Sequence, residues 1–104
     1  MSNMQIAKTI LQQLGNGRFV AMTGAKLFTA IEGGVHFRIG RNARGVNFVR
    51  IILDVNDTYR MEFCRLRKAQ ITILSTKTDV YCDQLQSIFT DQTGMYTSLG
   101  SMAA

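Results

Sequence analysis

Two consecutive stretches of alternating apolar and polar residues, each folding back across a short polar turn, occupy the middle of the chain and leave little choice of architecture. In LFTAIEGGVHFRIG, Phe28, Ala30, Val35, Phe37 and Ile39 share one parity. A two-residue Gly33-Gly34 loop pairs Glu32 with Val35, Ala30 with Phe37 and Phe28 with Ile39, which puts the apolar side chains on one face. In NFVRIILDVNDTYRMEFCRL the same test selects a three-residue loop, Asn56 to Thr58. Val55, Leu53 and Ile51 then face Tyr59, Met61 and Phe63, with Asp54 opposite Arg60 and Arg50 diagonal to Glu62 on the other side. Successive hairpins with no crossover helix between them mean an antiparallel sheet.

The flanks read differently. Ile6, Ala7, Ile10, Leu11 and Leu14 recur at helical spacing, Ser2 or Asn3 offers a cap, and Gly15-Asn16-Gly17 ends the segment, so the first helix runs from Asn3 to Leu14. Arg18 to Met22 reads as a short strand and Ala69 to Ser75 as another, with Ile71 and Ile73 inward. Thr78 or Asp79 caps a second helix whose apolar positions are Tyr81, Leu85, Ile88 and Phe89 and which Gly94 closes. Met95, Tyr96 and Leu99 are expected to dock the tail, and residues 100–104 to fray. The expectation is a single α+β domain over residues 1–104: an antiparallel sheet of five or six strands with an N-terminal and a C-terminal helix packed on it. Its other face is not plainly polar, since Ile31, Val46, Phe48, Ile52 and Leu74 share it with arginines. Either the sheet curls over that face or a partner covers it.

Charge is unevenly distributed. The chain carries 12 Lys and Arg against 7 Asp and Glu, a net +5. Arg38, Arg41, Arg44, Arg50, Arg60, Arg65, Arg67 and Lys68 face only Asp54, Asp57 and Glu62 within the same segment, so the whole excess lies in the middle and the flanks are neutral. Guanidinium suits bidentate contact with phosphate. A basic centre between neutral flanks points to an anionic partner, although +5 also serves solubility alone. In RIGRNARG, three arginines at three-residue spacing lie in and beside a loop made adaptable by glycine. Arg65, Arg67 and Lys68 form a second cluster. The two make one patch if their strands are neighbours, and otherwise two ordinary basic loops at opposite sheet ends.

Catalytic patterns are missing. The single histidine, His36, sits on a strand; the two cysteines, Cys64 and Cys82, form no C-x-x-C and read as free thiols in a reducing compartment. The carboxylates are spoken for by arginines, a turn and a cap, and neither phosphate-loop pattern occurs. The expectation is a non-enzyme with no cofactor and no metal. No apolar run approaches the ~18–20 residues of a membrane span, and MSNMQIAKTILQQLG does not read as a secretory signal, so no membrane partner and a cytoplasmic location are expected. Double-stranded-RNA-binding and RRM modules fit poorly: the last helix carries Asp79, Asp83 and Asp91 and no basic residue, and the glycine–aromatic signature is missing.

Three stretches, LQQLGNGRFVAMTGAK, DTYRMEF and VYCDQLQSIFTDQTGMYTSL, together about half the chain, resemble small uncharacterised proteins encoded by bacterial phages and other mobile elements. The resemblance implies a short single-domain product in a bacterial cytoplasm, of a kind that is often a non-enzymatic binder or an inhibitor of host defence, and it assigns no residues. Two functional expectations follow. In the first, Arg38, Arg41, Arg44, Arg65, Arg67 and Lys68 bind the phosphates of nucleic acid or of a ribonucleoprotein complex. In the second, Phe48, Arg50 and Ile52 anchor a protein partner on the second sheet face, either a host defence protein (anti-CRISPR or anti-restriction action) or another copy of the chain.

Overall fold

The computed structural model describes residues 2–97. Helix α1 (Asn3–Leu14) begins with a reciprocal cap: the Ser2 hydroxyl accepts from the Gln5 N–H at 3.2 Å while the Gln5 side chain accepts from the Ser2 N–H at 3.1 Å. Its buried face is Ala7, Ile10 and Leu14. Gly15, at φ +122°, ends α1, a conformation open to glycine. The chain then turns at once into a second helix, α2 (Asn16–Thr23). The strand expected at Arg18 to Met22 is therefore helical. Phe19 and Thr23, four apart, form its buried face, and the Thr23 hydroxyl donates to the Phe19 carbonyl at 2.7 Å. Four consecutive apolar residues, Phe19 to Met22, satisfy either period, and burial of Phe19 decides between them.

Five strands follow, β1 (Lys26–Ile31), β2 (Gly34–Arg38), β3 (Phe48–Leu53), β4 (Tyr59–Arg67) and β5 (Gln70–Val80), then a single 3₁₀ turn (Cys82–Gln84) and α3 (Leu85–Thr93). They pair antiparallel in chain order, β1-β2-β3-β4-β5, with the helices on one face. The fold is the expected α+β arrangement, with five strands. Phe19, Phe37, Phe63 and Phe89, all fully buried, join α2, β2, β4 and α3 through the centre of the core.

Both hairpins keep the expected faces but shift register by two residues. Ala30 pairs with Val35 and Ile31 with Gly34, so the turn is Glu32-Gly33. The two glycines have separate duties: Gly33 takes φ +75° in the turn, while a Cβ on Gly34 would run into the backbone carbonyl of Ile51 on β3. In the second hairpin Leu53 pairs with Tyr59 and Ile51 with Met61, leaving a five-residue turn, Asp54 to Thr58, rather than the three-residue one. Thr58 is buried and bonded to the Asn56 side chain at 2.7 Å, which holds the wider loop and leaves Val55 in solvent. Arg50 stands directly opposite Glu62 rather than diagonal to it, ion-paired at 2.7 Å, and Arg60 stands opposite Ile52.

The last strand differs most. It spans Gln70–Val80, not Ala69 to Ser75. Lys68 and Ala69, at φ +48° and +66°, make a tight two-residue turn that pairs Arg67 with Gln70, Leu66 with Ile71 and Cys64 with Ile73, before the register shifts between Cys64 and Phe63. Those partners lie on the face away from the helices, so Ile71 and Ile73 are 44% and 52% exposed instead of inward. Val46 is the converse, buried in the core rather than on the second face. The expected C-terminal helix is α3, which starts at Leu85, so Thr78 and Asp79 lie in β5 rather than at its cap and Tyr81 lies outside it, exposed; Leu85 and Phe89 are buried and Gly94, at φ +76°, closes it as expected. Met95 packs on the core and Tyr96 is partly exposed, while Leu99 and residues 100–104 lie outside the described residues.

Candidate nucleic-acid interface

Antiparallel order gathers charge by sign. The start of β1, the end of β2, the start of β3, the end of β4 and the start of β5 all lie at one end of the sheet. Arg38, Arg41, Arg44, Arg65, Arg67 and Lys68 are all on that end, together with Lys26, whose backbone stands opposite Arg38. No Asp or Glu occurs in residues 33–53 or 63–78, which supply the connections there. Glu32, Asp54, Asp57 and Asp79 lie toward the opposite end, where the Asn56 amide donates to Asp79 at 3.3 Å. Among the described residues the ion pairs are Arg50–Glu62, Arg60–Glu62 and Arg60–Asp54, and none uses a cation of the basic end.

Two asparagines shape the loop that carries Arg41 and Arg44. The Asn42 side chain donates to the Gly40 and Val46 carbonyls and accepts from the Arg44 and Val46 N–H groups at 3.1 and 3.2 Å. Asn47 exchanges two hydrogen bonds with the Leu66 backbone, donating at 3.0 Å and accepting at 2.6 Å, which clips the loop to the end of β4. With both amides satisfied, the loop needs no ligand to order it. Gly45, at φ +72°, lies against Arg65, whose Nε–H donates to the Gly45 carbonyl at 3.2 Å. A Cβ on Gly45 would occupy the space of the guanidinium.

A cleft of about 370 Å³ between this loop and β4 is lined by Arg41, Arg65 and Arg67, with Asn42 and Asn47 in its wall. The two basic clusters thus meet. Arg44 and Lys68 are exposed on the turns beside the cleft, and Arg38 is half-buried at the end of β2; these three do not line it. Lys26 is not legible in the sequence as part of this group because it lies before the basic segment. Asn42 and Asn47 are not legible either, because an asparagine in a glycine-rich loop reads as turn chemistry, and its cross-strand partner is visible only once β3 and β4 are paired.

Phe48, Arg50 and Ile52 do share the second face. Phe48, however, is 6% exposed, its ring centroid 5.0 Å from that of His36. Arg50 is engaged with Glu62 and Ile52 is half-buried. Ile71 and Ile73 are exposed apolar side chains there, and Leu74, unpaired at the register shift, is 42% exposed beside them.

Both thiols are free, Cys64 buried and Cys82 exposed. Burial pushes the Cys64 thiol above its ordinary 9.0; Arg50 draws it partly back and Glu62 adds to the rise. A thiol that ionises later in the folded than in the unfolded chain stabilises the fold below about pH 9, and that contribution is lost as pH rises through the folded value. Tyr59, raised from 10.0 mainly by burial, adds a second loss at higher pH. The melting temperature is expected to be level between pH 7 and 8.5 and to fall above 9. Between pH 8.5 and 9.5 the fall should be smaller in Cys64→Ala, as read by circular dichroism in reductant.

Among the described residues no group of three His, Cys, Asp or Glu is placed to hold a metal, and no helix is long and apolar enough to cross a membrane. Comparison with protein-family models, curated proteins and solved structures returns no match to this chain.

Proposed function

We propose that this protein is a non-enzymatic binder of nucleic acid, or of a nucleic-acid-containing complex, and that it grips phosphates with the basic end of its sheet. The observation that carries the reading is the gathering of Lys26, Arg38, Arg41, Arg44, Arg65, Arg67 and Lys68 at one end with no acid paired to them. Seven like charges held together repel one another, and a polyanion relieves that repulsion while releasing its own counterions. Among the described residues no exposed aromatic ring stands with them: Phe37 and Phe48 are buried. The contacts are therefore to backbone phosphate, which positions without reading sequence. The resemblance to phage-encoded proteins would place such a partner in a bacterial host.

The test is fluorescence anisotropy with a labelled duplex of mixed sequence. If six of the seven cations each neutralise one phosphate, log K should fall with log[salt] at a slope near about −5, so affinity drops ~10³-fold between 50 and 200 mM salt. Arg41→Glu combined with Arg44→Glu should weaken binding by ~10²-fold for every sequence tried and flatten the slope by about two. Equal retention of the double variant and the wild type on DNA and RNA would overturn the proposal.

A further inference from the structure

We infer that the cleft between the 39–47 loop and the end of β4 is the seat of a terminal phosphomonoester at the end of a nucleic-acid strand. This rests on the nucleic-acid reading and adds to it where on the strand the protein sits. The cations of the basic end are not equivalent. Arg38, Arg44, Lys68 and Lys26 lie outside the cleft, Lys26 opposite Arg38 across β1 and β2, where each can meet a monoanionic backbone phosphate. Arg41, Arg65 and Arg67 instead line one cavity of about 370 Å³, near the lower bound of ligand pockets (~300–1,000 Å³). Three arginines line this one cleft with no carboxylate among its lining residues, a setting that favours an occupant with more than one negative charge. A phosphate monoester, with a second ionisation near ~6, carries ≈ −1.5 to −2 at neutral pH. A phosphodiester carries one charge and its two ester links take up the positions that extra donors would meet.

The cavity is also rigid where it matters. Arg65 is held by its Nε–H to the Gly45 carbonyl with one terminal NH₂ against Gly45, which fixes the plane of the fork and leaves its other terminal NH₂ for the ligand. Gly45 is the residue that lets that guanidinium lie there, and Asn42 and Asn47 hold the facing wall through hydrogen bonds that are complete without a ligand. Such preorganisation removes the ordering cost of binding. The cations outside the cleft then run on to the diester phosphates that follow the terminal one.

The experiment compares three otherwise identical duplexes, with a 5′-phosphate, a 3′-phosphate or hydroxyl ends only, at pH 7.5 and 150 mM salt. One phosphorylated duplex is expected to bind at least ~10-fold more tightly than the hydroxyl-ended one, and the advantage should shrink below pH 6 as the monoester loses its second charge. Arg65→Lys, which keeps the charge and loses the fork, should bring the ratio of affinities for the phosphorylated and hydroxyl-ended duplexes to within about twofold of one. Gly45→Val, with folding checked by circular dichroism, should lower the same ratio by displacing Arg65. Equal affinity for all three duplexes overturns the terminal-phosphate seat and leaves the polyanion reading standing. If no duplex binds, yet inorganic phosphate shifts the Arg65 Nε–H resonance, the seat belongs to free phosphate; both the strand end and the nucleic-acid reading are then overturned.

Discussion

Phe19→Ala is expected to cost about 3–5 kcal/mol of folding free energy, the usual range for deleting a fully buried phenyl ring. The reason lies in what one ring holds together. Helix α2 has eight residues, too few to be stable alone, and buries only Phe19 and Thr23. The Phe19 ring stands edge-on to Phe37 of β2 at 5.5 Å and 90°, and to Phe89 of α3 at 5.0 Å and 73°. Removing it opens a cavity at the meeting point of three elements and strips α2 of its main attachment. A domain of this size has a total stability of about 5–15 kcal/mol, so a large fraction disappears at once. Urea unfolding followed by circular dichroism should show a much lower midpoint with little change in slope. Val20→Ala, one residue along and outward on the same helix, should shift stability by less than about 0.5 kcal/mol. A loss below about 1 kcal/mol for Phe19→Ala would mean that this ring does not dock α2 onto the core.

The same ring explains which parts of the fold are legible in the sequence. Over three turns, as in Asn3 to Leu14, the helical period is unambiguous and both ends carry caps, so the boundaries are correct to the residue. Over the five residues from Arg18 to Met22 nothing distinguishes a strand from a helix except the distant rings that Phe19 meets. In the hairpins, alternation specifies parity and nothing finer. Shifting a register by two returns every side chain to its own face, so Ala30 and Phe37 remain inward although they do not face each other. Turn chemistry then decides the register, and Gly33 and Gly34 look alike in sequence. The tight turn at Lys68 and Ala69 lacks the Asn-Gly or Asp-Gly signature of its class, which is why Ile71 and Ile73 read as inward. For the candidate site, the two arginine clusters are legible as clusters. Their meeting is not, because it depends on β3 lying between β2 and β4, and strand order is a property of the whole sheet.

The second large effect separates the two glycine roles in the first hairpin. Gly34→Ala is expected to destabilise by about 3 kcal/mol, the upper end of the usual overpacking cost. The backbone of Gly34 is not in a glycine-only conformation; space is what excludes a side chain. An added Cβ would collide with the Ile51 carbonyl oxygen and approach the Ile52 Cα to 2.9 Å. Both atoms belong to the backbone of β3, which cannot turn aside as a side chain can. Relief requires β2 and β3 to separate at Gly34–Ile52, next to the buried pair Val35–Ile51. Gly17→Ala is the counterpart: an added Cβ there meets nothing within 4 Å, and the residue lies inside α2. Alanine in a helix is favoured over glycine by about 0.8–1 kcal/mol, so this variant should gain up to that amount. One chemical change therefore carries opposite signs at two positions, read as opposite shifts of the urea midpoint. If Gly34→Ala is as stable as the wild type, β2 and β3 do not approach in the register that sets Gly34 against Ile52, and the loop that carries Arg41 and Arg44 between them loses its fixed relation to β4.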